Sequence, residues 1–178
     1  MRNIIVTEFV SLDGVMEDPS WTMPYWNDEI ANFKDSEQQN TDALLLGRVT
    51  YEGFASAWSG SDADGAEFMN NVRKYVVSNT LNTADWNNST LIKDNIIEEI
   101  TRLKQSDGQD ILVYGSAMLI QTLIQHNLVD QYRLLIYPVL VGKGKRLFQE
   151  DTTTALNLIE TQAFESGVTA LIYETKEE

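Results

Sequence analysis

Short apolar runs alternate with stretches of helical periodicity along the first two-thirds of the chain. Residues 3–10 are rich in β-branched side chains, close on Ser11-Leu12-Asp13-Gly14, and read as a first strand. Residues 43–46, 75–77 and 111–114 are brief, almost wholly apolar runs, which is the pattern of strands buried on both faces. Between them, residues 26–38, 49–58 and 118–126 carry helical spacing. A further helix is predicted from Asp94, a good N-cap residue, with Ile96, Ile97, Ile100 and Leu103 on one face. Residues 18–24 and 60–65 read as loops. The pattern then changes. Residues 132–141 form a long apolar strand, and residues 156–164 and 168–175 form two more, joined at Glu165-Ser166-Gly167. This order predicts an α/β fold with a mixed, mostly parallel sheet, helices on both faces and an antiparallel hairpin at the C-terminal end. One domain is expected over 1–178.

Composition narrows the chemistry. A chain of 178 residues buries roughly 70% of the surface its unfolded form exposes, so it folds without staples. There is no cysteine and one histidine, which excludes disulfides, a thiolate nucleophile and a Cys/His zinc site; no metal is expected. No apolar run approaches the ~20 residues of a membrane helix, and Glu8 interrupts the first one. A cytoplasmic protein is expected. The formal net charge is −14, which repels phosphate backbones and anionic membranes. An anionic ligand would therefore have to be held locally, by backbone N–H groups and a few placed cations.

Three of the apolar strands end in turns suited to that task. They are Gly47-Arg48-Val49-Thr50, Ser78-Asn79-Thr80 and Gly115-Ser116-Ala117-Met118. In an open α/β sheet, ligands gather at the carboxyl ends of strands. Helix N-termini offer unpaired N–H groups and positive dipole to phosphate, and glycine lets backbone approach closely. Arg48 adds a cation.

Residues 47–52, Gly47-Arg48-Val49-Thr50-Tyr51-Glu52, resemble the glycine-arginine-x-threonine-aromatic-glutamate turn of dihydrofolate reductases, and residues 113–119 resemble their second, glycine-rich turn. Ser11-Leu12-Asp13-Gly14, and residues 138–144 followed by Leu147-Phe148, are similar to the reductase domain of the riboflavin-biosynthesis deaminase–reductase. The resemblance covers nearly the whole chain in order. It implies a stand-alone dihydrofolate-reductase-like protein that binds NADPH. Arg48 would face the 2′-phosphate, with Ser78, Asn79 and Thr80 nearby. Gly47 and Thr50 would hold one side of the pyrophosphate, and Gly115, Ser116, Ala117 and Met118 the other. Two departures stand out: Ser116 replaces the second glycine of the later turn, and Thr7 stands where the riboflavin reductase domains carry a lysine.

The resemblance also implies a carboxylate on the first helix four residues before a phenylalanine, which is Glu29, with Asp28 beside it. Asp13 is the other candidate to manage a proton. Each has an ordinary reading too: a first-turn acid favoured by the helix dipole, or a turn-forming Asp before Gly14. Trp21, Tyr25, Trp26, Tyr51, Phe54 and Trp58 either stack on a flat heterocycle or fill the core, with Trp21 and Tyr25 the better pocket candidates. Gly142-Lys143-Gly144 reads as a turn, and His126 as a helix-terminal residue. The expected activity is NADPH-dependent reduction of a small pterin-like or pyrimidine-like heterocycle. The alternatives are an NADPH-binding sensor or scaffold without turnover, and a structural dimer that has lost the cofactor. Nucleic acid and membrane are not expected partners, and the apolar C-terminal strands make a homodimer the expected assembly.

Overall fold

The computed structural model describes residues 1–149 and 153–176. Residues 150–152 and 177–178, which the expected domain 1–178 includes, lie outside the described residues. Among the described residues the chain forms one eight-stranded sheet in the order β4-β3-β2-β5-β1-β6-β8-β7. The strands are β1 (Ile4–Ser11), β2 (Thr41–Gly47), β3 (Arg73–Val77), β4 (Ser89–Ile92), β5 (Asp110–Val113), β6 (Gln131–Tyr137), β7 (Leu156–Ala163) and β8 (Thr169–Thr175). Pairing is parallel from β4 to β6, and antiparallel between β6 and β8 and between β8 and β7. The helices are α1 (Asp28–Gln38), α2 (Arg48–Trp58), α3 (Ala66–Asn71), α4 (Ile96–Gln105) and α5 (Ala117–Gln125).

Strand alternation sorts the core into two faces. Ile4, Val6, Leu45, Ile111 and Val113 pack with Ile100 of α4 and Leu119, Ile120 and Leu123 of α5. On the other face Ile5, Leu44, Leu46 and Leu112 meet Tyr51 of α2, Met69 of α3 and Trp86. Beside them Ile30 of α1 covers Leu135, Tyr137 and Ala170. The mixed sheet with helices on both faces and a C-terminal hairpin is therefore as expected.

Several boundaries differ for local reasons. The first helix begins at Asp28, because the Asn27 side chain accepts from the Ile30 N–H at 3.0 Å and caps it there. The predicted loop over 18–24 contains a 3-10 helix, Pro19–Tyr25. The fourth helix is preceded by Asn95 rather than Asp94; Asn95 has φ 50, a left-handed conformation that asparagine tolerates. The long strand predicted to run to 141 stops at Tyr137, just before Pro138, which has no N–H to donate. Two elements had no strong pattern in the sequence: the six-residue α3 and the four-residue β4.

Residues 139–147 turn back over the exit of β1. Leu12 N–H donates to Val139 O at 2.9 Å, and Leu147 N–H to Gly14 O at 3.0 Å. Gly142 and Gly144 have φ of 80 and 114, so Gly142-Lys143-Gly144 is the turn its composition indicated. No described helix is long and apolar enough to cross a membrane.

Candidate active site

The first and third polar turns meet at the carboxyl ends of β2 and β5. Gly47 N–H donates to Gly115 O at 3.0 Å. A Cβ on Gly47 would overlap Ser116, reaching its Cβ at 2.9 Å. A Cβ on Gly115, whose φ is 87, would stand 2.9 Å from Thr50 Oγ1. Both glycines are thus required by close approach, and the second also by its conformation. Thr50 lies under the later turn and connects the two. The Gly115–Ser116 peptide bond is cis.

These turns open α2 and α5, and neither helix has a side-chain cap. Ser116 occupies the N-cap position of α5 without a capping hydrogen bond from its hydroxyl. The leading N–H groups of both helices remain available to an anion. Val49 and Met118, just inside the two helices, are exposed.

Register places the remaining turn beside them. Gly47 pairs with Val77 across β2 and β3, so Arg48 and Ser78 leave the sheet as neighbours. Ser78 is buried, and its hydroxyl accepts from Thr80 N–H at 3.2 Å and Leu81 N–H at 3.1 Å. That turn leaves Asn79 and Thr80 exposed. The Arg48 guanidinium is half exposed and pairs with Glu52 at 2.9 Å, one helical turn away. The structure therefore gathers Gly47, Arg48, Thr50, Gly115, Ser116, Ala117 and Met118 on one rim, with residues 78–80 next to it.

The two singled-out carboxylates have other partners. Asp13 accepts from Ser11 Oγ at 2.6 Å, Val141 N–H at 3.0 Å and Gly142 N–H at 2.8 Å. The Ser11 hydroxyl first, and then the two amides, hold its carboxyl down at about 2. It stays ionised and anchors residues 139–147. Glu29 accepts from Glu165 N–H at 2.8 Å and Asn27 Nδ2 at 3.2 Å. It ties α1 to the β7–β8 turn and borders a hollow of about 510 Å³ shared with Phe33, Arg133 and Glu160. A larger hollow of about 1060 Å³ lies at the opposite, amino-terminal ends of β2, β3 and β4, beside Thr41, Arg73 and Ser89. Neither hollow includes the three turns.

A different cluster of ionisable groups sits beside the rim. β1 pairs with β5 only as far as Val6↔Val113, while its pairing with β6 continues to Ser11↔Tyr137. The edge of β1 beyond Val6 faces the gap left as β5 turns toward Gly115. Glu8 lies on that stretch. Its Oε1 is closed to solvent, has no hydrogen-bond partner, and would lie 3.6 Å from a Cβ on Gly115. Burial pushes the Glu8 carboxyl up to about 8, against the pull of Lys34 and with a further push from Glu37. Lys34 of α1 donates to Thr7 Oγ1 at 2.7 Å, pairs with Glu37 at 2.5 Å and lies 4.6 Å from the Tyr114 ring centre. Burial alone would lower the Lys34 ammonium; Glu37, Tyr114 and Glu8 together hold it above its ordinary value. Burial raises the Tyr114 phenol, against the pull of Lys34.

Sequence reasoning passed over Glu8, Lys34 and Tyr114 as site residues. The available signal was a carboxylate inside an otherwise apolar strand, Ile4-Ile5-Val6-Thr7-Glu8-Phe9-Val10.

The expected aromatic wall divides. Tyr51, Phe54 and Trp58 belong to the core beneath α2, and the Tyr51 hydroxyl accepts from Trp86 N–H at 2.9 Å. Trp21, Tyr25 and Phe9 instead meet Tyr137 edge-on, at 5.6, 5.8 and 5.6 Å between ring centres. The Tyr137 hydroxyl is buried without a partner.

Residues 2–170 match the model of the RibD C-terminal domain. The chain belongs to the RibD C-terminal domain family. Two Bacillus subtilis proteins are similar to this chain over nearly its whole length. The uncharacterized protein YyaP is 36% identical over 180 residues, covering 97% of this chain and 94% of its own. The uncharacterized protein YwjB is 27% identical over 175 residues, covering 94% and 95%. Among solved structures, a putative riboflavin biosynthesis protein from Shewanella sp. PV-4 superposes with a TM-score of 0.82 at 22% identity, covering 98% of this chain and 99% of its own. A pyrimidine reductase-like protein from Corynebacterium diphtheriae gives 0.72 at 12%, covering 99% and 93%. Dihydrofolate reductase from Enterococcus faecalis, complexed with NADP(H) and RAB-propyl, gives 0.65 at 14%, covering 98% and 97%. The RibD C-terminal domain family and these superpositions make the fold dihydrofolate-reductase-like.

Proposed function

We propose that this protein is an NADPH-dependent reductase of a small conjugated heterocycle, pterin-like or pyrimidine-like. The observation that carries the reading is the joined pair of uncapped helix N-termini at Gly47 and Gly115. Each glycine there lets the two turns close on each other, since a Cβ would run into Ser116 or Thr50. A diphosphate suits this junction, where two uncapped helix N-termini with their free N–H groups and positive dipole ends lie side by side. In this reading Gly47, Thr50, Gly115, Ser116, Ala117 and Met118 hold the pyrophosphate. Arg48 turns from Glu52 to the 2′-phosphate, with Ser78, Asn79 and Thr80 at the adenosine end. The family and a neighbour that binds NADP(H) support the assignment.

The nicotinamide supplies a hydride when bound; the protein must supply orientation and a proton. Phe9, Trp21, Tyr25 and Tyr137 form an aromatic wall beside the exit of β1, suited to a flat ring, and the unpartnered Tyr137 hydroxyl could then serve the ring's polar edge. Of the two carboxylates expected to manage the proton, Asp13 is committed to its loop, while Glu29 retains the position on α1 implied by the resemblance and is bonded to the β7–β8 turn. Those bonds favour a second reading, dinucleotide binding without turnover. A homodimer through the C-terminal strands is part of the proposal: β7 is the edge strand of the sheet, and Leu158 and Ile159 on it are half exposed.

Tryptophan quenching during titration with NADPH and, separately, NADH tests the reading. Micromolar binding with NADPH the tighter ligand is expected. Binding of neither cofactor sinks it. Steady loss of NADPH absorbance with a heterocycle separates the reductase from the non-turning binder.

A further inference from the structure

The reading of the rim as a dinucleotide site leaves Glu8 unexplained. A carboxyl group placed against a diphosphate cradle is an electrostatic liability if ionised. Its charge would add to that of an anionic ligand at a place where its Oε1 is closed to solvent beside Gly115. No hydrogen-bond donor reaches its Oε1 to stabilise a carboxylate. Lys34, the cation that pulls on Glu8, is already engaged by Glu37 and Thr7.

We propose that Glu8 makes cofactor binding proton-linked: the dinucleotide binds over the neutral carboxylic acid, and ionisation of Glu8 weakens it. The groups facing Glu8 do not titrate in its place. On α1, Lys34 is held above its ordinary value by Glu37, with which it is paired, and Glu37 adds its own push to the Glu8 carboxyl. At the end of β5, the Tyr114 phenol is raised. Thr50 of α2 and Met16, which share the Gly115 contact, do not ionise in this range. On β6, Leu134 is the register partner of Glu8. Glu8 itself lies at about 8, within reach of ordinary buffers. Lys74, lowered to about 8 by burial, belongs to β3 and is ringed by the carbonyls of Val72 and Asn87 at 2.8 and 2.9 Å, so a Glu8 variant leaves it untouched.

The sign follows from linkage. A ligand that prefers the protonated form raises the pKa of the group and takes up a proton on binding, so affinity falls as pH rises past the pKa of the free protein. The experiment is NADPH titration by tryptophan quenching between pH 6.5 and pH 9.5, on the wild type and on Glu8→Gln. The wild type is expected to bind roughly tenfold more weakly at pH 9 than at pH 7.5. Glu8→Gln, which keeps the shape and cannot ionise, is expected to hold its affinity across that range. A parallel fall in both proteins, or no fall in the wild type, overturns the proposal. Calorimetry of the wild type in buffers of different ionisation enthalpy needs no variant. At pH 8.5 it should report net proton uptake on NADPH binding, and zero uptake overturns the proposal. Absence of NADPH binding at pH 6.5 overturns the dinucleotide reading itself, and this proposal with it.

Discussion

Asp13 and Arg48 are both charged, and each takes its role from what surrounds it. Asp13 lies in an open turn and is held low by the Ser11 hydroxyl and two amides, so its folded pKa lies below its unfolded one. Its anchoring of residues 141 and 142 is fully present above the ordinary carboxylate pKa near 4 and is lost as pH falls toward about 2. Urea unfolding of the wild type and Asp13→Asn should therefore differ at pH 6 and converge as pH approaches 2. A gap independent of pH would remove the charge from the explanation. Arg48 is half exposed, and its pairing with Glu52 contributes little to stability. Arg48→Ala should leave the melting temperature within about 2 °C and weaken NADPH by tenfold or more, as expected for a charge-assisted hydrogen bond. NADH should weaken much less. Equal losses would show that Arg48 does not meet the 2′-phosphate.

At the scale of elements, the site is a junction of two strand–helix turns, and its tolerance is set by their contact. Gly115→Ala would force a side chain into a left-handed conformation and against Thr50 Oγ1 at 2.9 Å. A stability loss of roughly 1–3 kcal/mol and a Kd for NADPH raised at least tenfold are expected, by thermal unfolding and by quenching. Retained affinity would mean that the turn can part from Thr50 without harm. The exit of β1 is held in the same manner from outside. Residues 139–147 form no strand, yet their backbone bonds to residues 12–16 fix the turn that follows Glu8 and Phe9.

Helices cover both faces of the central parallel strands, while β7 lies at one edge of the sheet with most of its length exposed. In a monomer, such an edge is open to pairing with another chain. Replacing both Leu158 and Ile159 by lysine should convert a dimer to a monomer in sedimentation velocity while leaving NADPH binding intact, since the rim lies across the sheet. A wild type that sediments as a monomer at all concentrations ends the homodimer proposal. The net charge of −14 acts at this scale too. It disfavours anionic surfaces and leaves recognition of any anion to backbone groups and Arg48.

Much of this was legible in the chain alone. Apolar runs closed by glycine determined the central strands, because a strand covered on both faces can hold few polar residues and must end where the backbone turns. The periodic stripe through Ile96, Ile100 and Leu103 determined a helix, and the residues around Gly47 and Gly115 marked the rim. Weakly patterned pieces such as α3 and β4 were not legible, since each is short and takes its form from what it packs against. Nor was the work of the carboxylates. Asp13 and Glu8 differ little as residues, and their charge states depend on surroundings the sequence does not show: Ser11, Val141 and Gly142 for Asp13, and burial with Lys34 and Glu37 for Glu8. Local pattern determines where the backbone runs. Only the tertiary fold decides which groups lose water and which gain a partner, and with that the chemistry they can perform.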